Sequence, residues 1–145
     1  MAYKGKFKPK NPSKYIGDPT NIVYRSRWEL KFMSYLDNHP SVLQWASEEF
    51  CVPYRSPLDD KIHRYFPDFY VKTKTPTGNI AEAVYEIKPY KQTQHPKRGK
   101  NERVYLNEVK TYVINKRKWE AAEAFCRSKG WAFSIVTEKD LGLKF

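Results

Sequence analysis

The sequence predicts an α/β architecture, a mixed central β-sheet flanked by helices, and three of its features carry that prediction. Trp28, Phe32, Tyr35 and Leu36 fall at i, i+4, i+7 and i+8, an apolar stripe of the kind a helix turns toward a core. Two segments rich in aromatic and β-branched residues, 65–71 and 81–88, lie on either side of a run of turn formers. A long helical period then leads through Gly130 into a last alternating segment. The order helix, strands, helix, strand is that of a sheet covered by helices.

The elements follow in turn. Residues 1–20 carry Lys4, Lys6, Lys8, Lys10 and Lys14 among Pro, Asn and Gly without any period. They predict a basic extended arm, lying on DNA or on a partner, or else a frayed terminus, ahead of a single domain at 21–145. Asp18-Pro-Thr20 leads into the first helix, Glu29 sits at the edge of its stripe, and Asn38-His-Pro40 stops it. Strands are expected at 42–47 and 50–54, with Glu48 and Glu49 between them and a turn at 56–60. After the central hairpin, 89–100 reads as a loop dense in Lys, Gln, His and Pro. Asn101 is a good N-cap for a second helical stretch. Val109, Tyr112 and Val113 keep its period and, beyond Asn115, Trp119, Ala122, Phe125 and Cys126 continue it, as one bent helix or two in tandem. Gly130 ends it, 131–136 alternates as a strand, and 137–140 caps a short final helix.

With 40% apolar and 16% aromatic residues, the 145-residue chain can bury a core, which excludes a disordered chain. No apolar run approaches the ~18 residues of a bilayer span, so a soluble intracellular protein is expected. Cys51 and Cys126 match no metal spacing and read as reduced thiols. The net charge of +11 is unevenly spread. Residues 1–31 hold eight basic and two acidic groups, and residues 88–118 hold ten and two. Residues 32–87 hold five basic and eight acidic groups. Basic flanks around an acidic centre suit a polyanion such as DNA on the flanks and cations at the centre. The phosphate-gripping residues expected in the second flank are Lys91, Lys97, Arg98, Lys100, Arg103, Lys110, Lys116, Arg117 and Lys118. Three separated histidines, His39, His63 and His95, make a His-ligated metal a poor fit.

The chemistry concentrates in the hairpin. A turn centred on Thr77 makes the numbers of cross-strand partners sum to 154, which sets Asp68 opposite Glu86 with Cβ atoms about 5 Å apart. Like charges so placed destabilise a sheet unless something positive lies between them. Lys88 falls on the same face, two residues on. Two carboxylates and a lysine on one face describe a divalent-metal site with a cation beside it. Phosphodiester hydrolysis has such requirements, and Mg²⁺ with its hard oxygen ligands meets them, with Mn²⁺ as a substitute. Asp68 and Glu86 are then the metal ligands, the Ile87 carbonyl a third oxygen, and Lys88 the group that orients water or stabilises the charged transition state. Glu29, from the first helix, reaches a second metal or a metal-bound water.

Pro67-Asp68 followed by Glu86-Ile87-Lys88 resembles the signature of the PD-(D/E)xK nuclease superfamily. The helix with Trp28-Glu29 resembles that fold's leading acidic helix, above all in the group containing the transposon endonuclease subunit TnsA. Nearly the whole chain is also similar to the head-completion nucleases of T-even-type tailed phages. The shared features include Tyr3-Lys-Gly-Lys6, Tyr24-Arg-Ser26, Arg64-Tyr-Phe66, Glu86-Ile-Lys-Pro89, Asn107-Glu108 and Trp119-Glu-Ala-Ala122. The resemblance implies a restriction-endonuclease-like fold and a Mg²⁺-dependent endonuclease. It also implies a role at the capsid portal after DNA packaging, with portal or other head and neck proteins as partners. The site of action it implies is the host cytoplasm during assembly or the virion itself. Two rivals stand beside it: a non-catalytic virion protein that binds DNA ends on the same fold, and, last, a basic RNA-binding module.

Overall fold

The computed structural model of the chain describes residues 4–141. Met1 to Tyr3, the start of the basic arm, lie outside the described residues. The strands are β1 (Gly5–Phe7), β2 (Ile22–Tyr24), β3 (Val42–Ser47), β4 (Val52–Arg55), β5 (Ile62–Tyr65), β6 (Phe69–Lys74), β7 (Ile80–Ile87) and β8 (Ala132–Val136). The α-helices are α1 (Arg27–Asn38), α2 (Glu102–Lys129) and α3 (Glu138–Leu141).

The central sheet has the order β3-β6-β7-β8. Its first two pairings are antiparallel and β7–β8 is parallel, joined by the α2 crossover. The sheet is therefore mixed, as expected. The hairpin register also agrees with expectation: Phe69 pairs with Tyr85, Tyr70 with Val84 and Lys72 with Glu82. The turn closes through the Thr75 amide donating to the Asn79 carbonyl at 2.7 Å, with Gly78 in the left-handed region at φ 88. Segment 65–71, by contrast, is not one strand. Pro67, which has no N–H to offer a ladder, is fully buried at the point where the chain leaves β5 and enters β6. Strand β5 pairs instead with β4, in a separate two-stranded ribbon.

Helix α1 starts at Ser26, whose hydroxyl accepts the Glu29 amide at 3.1 Å. It lays Phe32, Met33 and Leu36 on Trp45, Phe69, Val71 and Ile87. Helix α2 is a single 28-residue helix, capped by the Asn101 side chain and ended by Gly130 in the left-handed conformation at φ 74. Its buried residues begin only at Asn115, so Trp119 and Ala122 pack on Val52, Tyr54 and Tyr65 while positions 102–114 stay exposed or half-exposed. The two helices thus cover opposite faces of the sheet. Alternation along β7 turns Ile87 toward α1 and Glu86 toward α2, where its rung partner Ile135 also packs.

The lysine-rich segment is fastened to this body over residues 5–24. Strand β1 pairs with β2, and the Lys10 and Asn11 amides donate to the Asp37 carboxylate at 2.7 and 3.2 Å. The Lys14 ammonium donates to the Asp37 and His39 carbonyls, which the end of α1 leaves without helical partners. Tyr15 is buried edge-on against Trp45.

Candidate active site

Asp68 stands at the first position after the Pro67 corner, one rung beyond Phe69, where the hairpin register sets it opposite Glu86. Both side chains are wired to the facing backbone. The Asp68 amide donates to Glu86 Oε1 at 3.3 Å, and the Ile87 amide donates to Asp68 Oδ2 at 2.8 Å. Glu86 is buried and Asp68 half-buried. Burial first, and then the Glu86 charge, raise the Asp68 pKa well above the ordinary carboxylate range. Burial also raises that of Glu86, opposed by the Lys88 charge and by hydrogen bonding from Tyr65 and Asp68. Lys88 follows at the end of β7, half-buried, with its amide donating to the Val136 carbonyl at 3.0 Å.

The third carboxylate comes from α1. Glu29 lies one turn into the helix, its amide and carboxylate both engaged by Ser26. Burial raises its pKa, with help from the nearby Glu48 charge. Glu48 is the acidic residue that sequence reasoning passed over. It follows β3 with φ 54, a left-handed backbone a non-glycine residue adopts at a cost, and its amide donates to the Asp68 carbonyl at 3.1 Å. Arg25 forms an ion pair with Glu48 and adds its charge to Glu29 and Asp68. The only signal in the sequence was the Glu48-Glu49 pair between two strands, of which Glu49 instead accepts the Tyr15 hydroxyl at 2.8 Å.

Glu29, Glu48 and Asp68 each offer an oxygen within 4.8 Å of the others. Asp68 is thus shared between this set and the Glu86 pair. All donors are carboxylate oxygens, and two are held ionisable only at a cost that a cation would relieve. This donor set fits a hard divalent cation.

The expected phosphate-gripping residues divide. Lys91, Lys97, Arg98 and Lys100 are exposed around the loop before α2, with Arg98 paired to Glu102 and stacked 4.8 Å from the Tyr105 ring. Arg103, Lys110, Lys116 and Arg117 are exposed on α2. Lys118 differs: it is half-buried, over the rings of Tyr54 and Tyr65. No described helix is long and apolar enough to cross a membrane.

Comparison with known proteins gives the family of the chain. Residues 39–138 match the family model described as TnsA-like endonuclease N terminal, a span that contains Glu48, Asp68, Glu86, Lys88 and Lys118. The chain is also similar to the head completion nuclease of Enterobacteria phage T4, with 40% identity over 146 residues, covering 97% of this chain and 95% of that protein.

Proposed function

This chain belongs to the TnsA-like endonuclease N-terminal family and is a DNA endonuclease, and on that premise we propose that it hydrolyses DNA phosphodiesters in phage head completion, with Asp68 and Glu86 holding a divalent cation. The observation that carries the reading is the buried pair of carboxylates, each raised in pKa, with Glu86 held by the Asp68 amide and Asp68 by the Ile87 amide. Mg²⁺ is the cation proposed, with Mn²⁺ as a substitute, bound by Asp68, Glu86 and the Ile87 carbonyl. Bound there, it supplies positive charge to the phosphate and makes a water more acidic. Glu29 and Glu48 complete the acidic wall on the α1 side.

In the reaction a water oxygen adds to phosphorus, one P–O ester bond breaks, and the departing oxygen takes a proton. The chain's own residues bind and orient for it. Lys88 meets the extra negative charge that builds on the phosphoryl oxygens. The Ile87 and Asp68 amides hold the two carboxylates in place, so neither swings when substrate arrives. The exposed lysines and arginines of 91–117 grip phosphates along the duplex without reading bases. Portal or neck proteins are the partners that a role in head completion implies.

The test is nicking of supercoiled plasmid with Mg²⁺ or Mn²⁺ by the wild type and by Asp68→Ala, Glu86→Ala and Lys88→Met. Each variant is expected to lose about 100-fold or more in rate. Calorimetry should show Mn²⁺ uptake lost in the first two variants and retained in the third. Undiminished cleavage in all three would remove the assignment.

A further inference from the structure

Helix α2 carries two distinct sets of side chains. Arg103, Lys110 and Arg117 stand at i, i+7 and i+14, one line along the exposed helix. Asn115, Trp119, Ala122 and Cys126 form the buried face, about 150° round the helix from that line. Lys118 belongs to neither. It lies about 70° from the centre of the buried face, on its flank, where α2 meets the β4–β5 ribbon.

Its ammonium sits 5.9 Å from the ring centroid of Tyr54 on β4 and 5.6 Å from that of Tyr65 on β5. Two rings so placed attract a cation and restrict the four-carbon stem to one direction. Lys118 forms no salt bridge to a described carboxylate. Burial, and then the approach of Lys88, lower its pKa, while the Glu86 charge acts the other way. Its neighbour Trp119 packs in one cluster with Tyr65 and with Ile135, the rung partner of Glu86, so the ammonium lies on the face of the sheet to which Glu86 turns. Lys88 and Lys118 thus approach Glu86 from different elements, one from the end of β7 and one from α2.

Tyr65 adds an independent observation. Its ring is buried at 4% exposure, and its hydroxyl lies by the Glu86 carboxylate, where it counters the rise in the pKa of Glu86. The ring over which Lys118 sits thus carries its hydroxyl beside the proposed metal ligand Glu86.

We propose that Lys118 is a second catalytic cation of this endonuclease, reaching a non-bridging oxygen of the scissile phosphate from the α2 side while Lys88 reaches one from the strand side. The proposal rests on the Asp68–Glu86 reading above and deepens it. Phosphoryl transfer spreads charge over the equatorial oxygens, so two cations approaching from different directions can each meet one of them. Tyr54 and Tyr65 act as positioning residues, because they aim the lysine rather than touch the phosphate.

The experiment is single-turnover nicking of supercoiled plasmid at saturating enzyme with Mg²⁺, comparing wild type, Lys118→Met, Lys118→Arg and Asp68→Asn. DNA affinity is measured separately in Ca²⁺, and Mn²⁺ affinity by calorimetry. Lys118→Met is expected to slow the single-turnover step about 100-fold. Its DNA affinity should fall by no more than a single phosphate contact accounts for, and its Mn²⁺ affinity should be unchanged. Lys118→Arg, which keeps a cation able to stack on both rings, should recover part of the rate. Lys118→Gln gives the same comparison if the Met variant folds poorly. A Met or Gln variant that loses DNA affinity but keeps the single-turnover rate, or keeps both, overturns the proposal. Full cleavage by Asp68→Asn would instead overturn the underlying site, and Lys118 with it.

Discussion

Asp68 and Glu86 are each easier to protonate in the folded chain than in an unfolded one, because folding buries both and sets the Glu86 charge beside Asp68. A carboxylate whose folded pKa is raised contributes stability that is complete below its unfolded pKa, near 4, and is lost as pH rises through the folded value. Metal-free protein should therefore become less stable as pH climbs above about 4, and excess Mg²⁺ at pH 7 should restore what is lost. Thermal melts in chelator across pH 4–8 check this. At pH 7 in chelator, Asp68→Asn should melt about 2–6 °C higher than wild type while gaining nothing from Mg²⁺. A lower melting temperature would show that Asp68 supports the fold rather than straining it. At this scale the pairing of Asp68 with Glu86 was legible, because short-range turn chemistry at 75–79 determines which residues face one another. Glu48 was not, since a residue with positive φ between two strands follows no period. Nor was the difference between Lys118 and Arg117, which depends on rings 50 to 65 residues away.

Elements repeat the contrast between local and distant causes. Helix α1 and strand β3 could be read from apolar spacing and from a Pro stop, and β3 falls where expected. The division of 65–71 into β5 and β6 could not, because alternation alone does not show which sheet a strand joins. Strands β1 and β2, at three residues each, are too short to carry a pattern. Helix α2 was legible in extent but not in continuity; Asn115, read as a possible break, is its first buried residue. Its two halves should differ in stability. Positions 116–128 are packed, whereas 102–113 depend on the Asn101 cap and on helix propensity. Hydrogen exchange should show fast amides in the first stretch and slow ones in the second. Asn101→Ala, a loss of about 1 kcal/mol at the cap, should speed only the first. Equal protection of both halves would mean that the leading turns are packed after all.

Across the whole molecule the net charge of +11 makes DNA affinity a function of salt. The exposed line of Arg103, Lys110 and Arg117 covers about 21 Å of α2, a length suited to successive phosphates of a duplex. Replacing all three by Gln should lower the slope of log affinity against log salt by about 2.7, read by fluorescence anisotropy in a KCl series. An unchanged slope would place the duplex elsewhere, along the lysines of the first twenty residues. The mixed sheet and the basic flanks were both legible in the sequence; how the flanks fold was not, since β1, the Lys14 contacts and Tyr15 fasten much of the first flank to the body. The Pro67 corner carries a last consequence. The turn at 75–79 sets the register between β6 and β7, whereas the corner sets which face of β6 the residue after Pro67 takes. One residue added or removed between Tyr65 and Phe69 would rotate the acidic position to the far side of its strand. On the proposed reading of Asp68, a one-residue insertion or deletion in that passage should abolish cleavage.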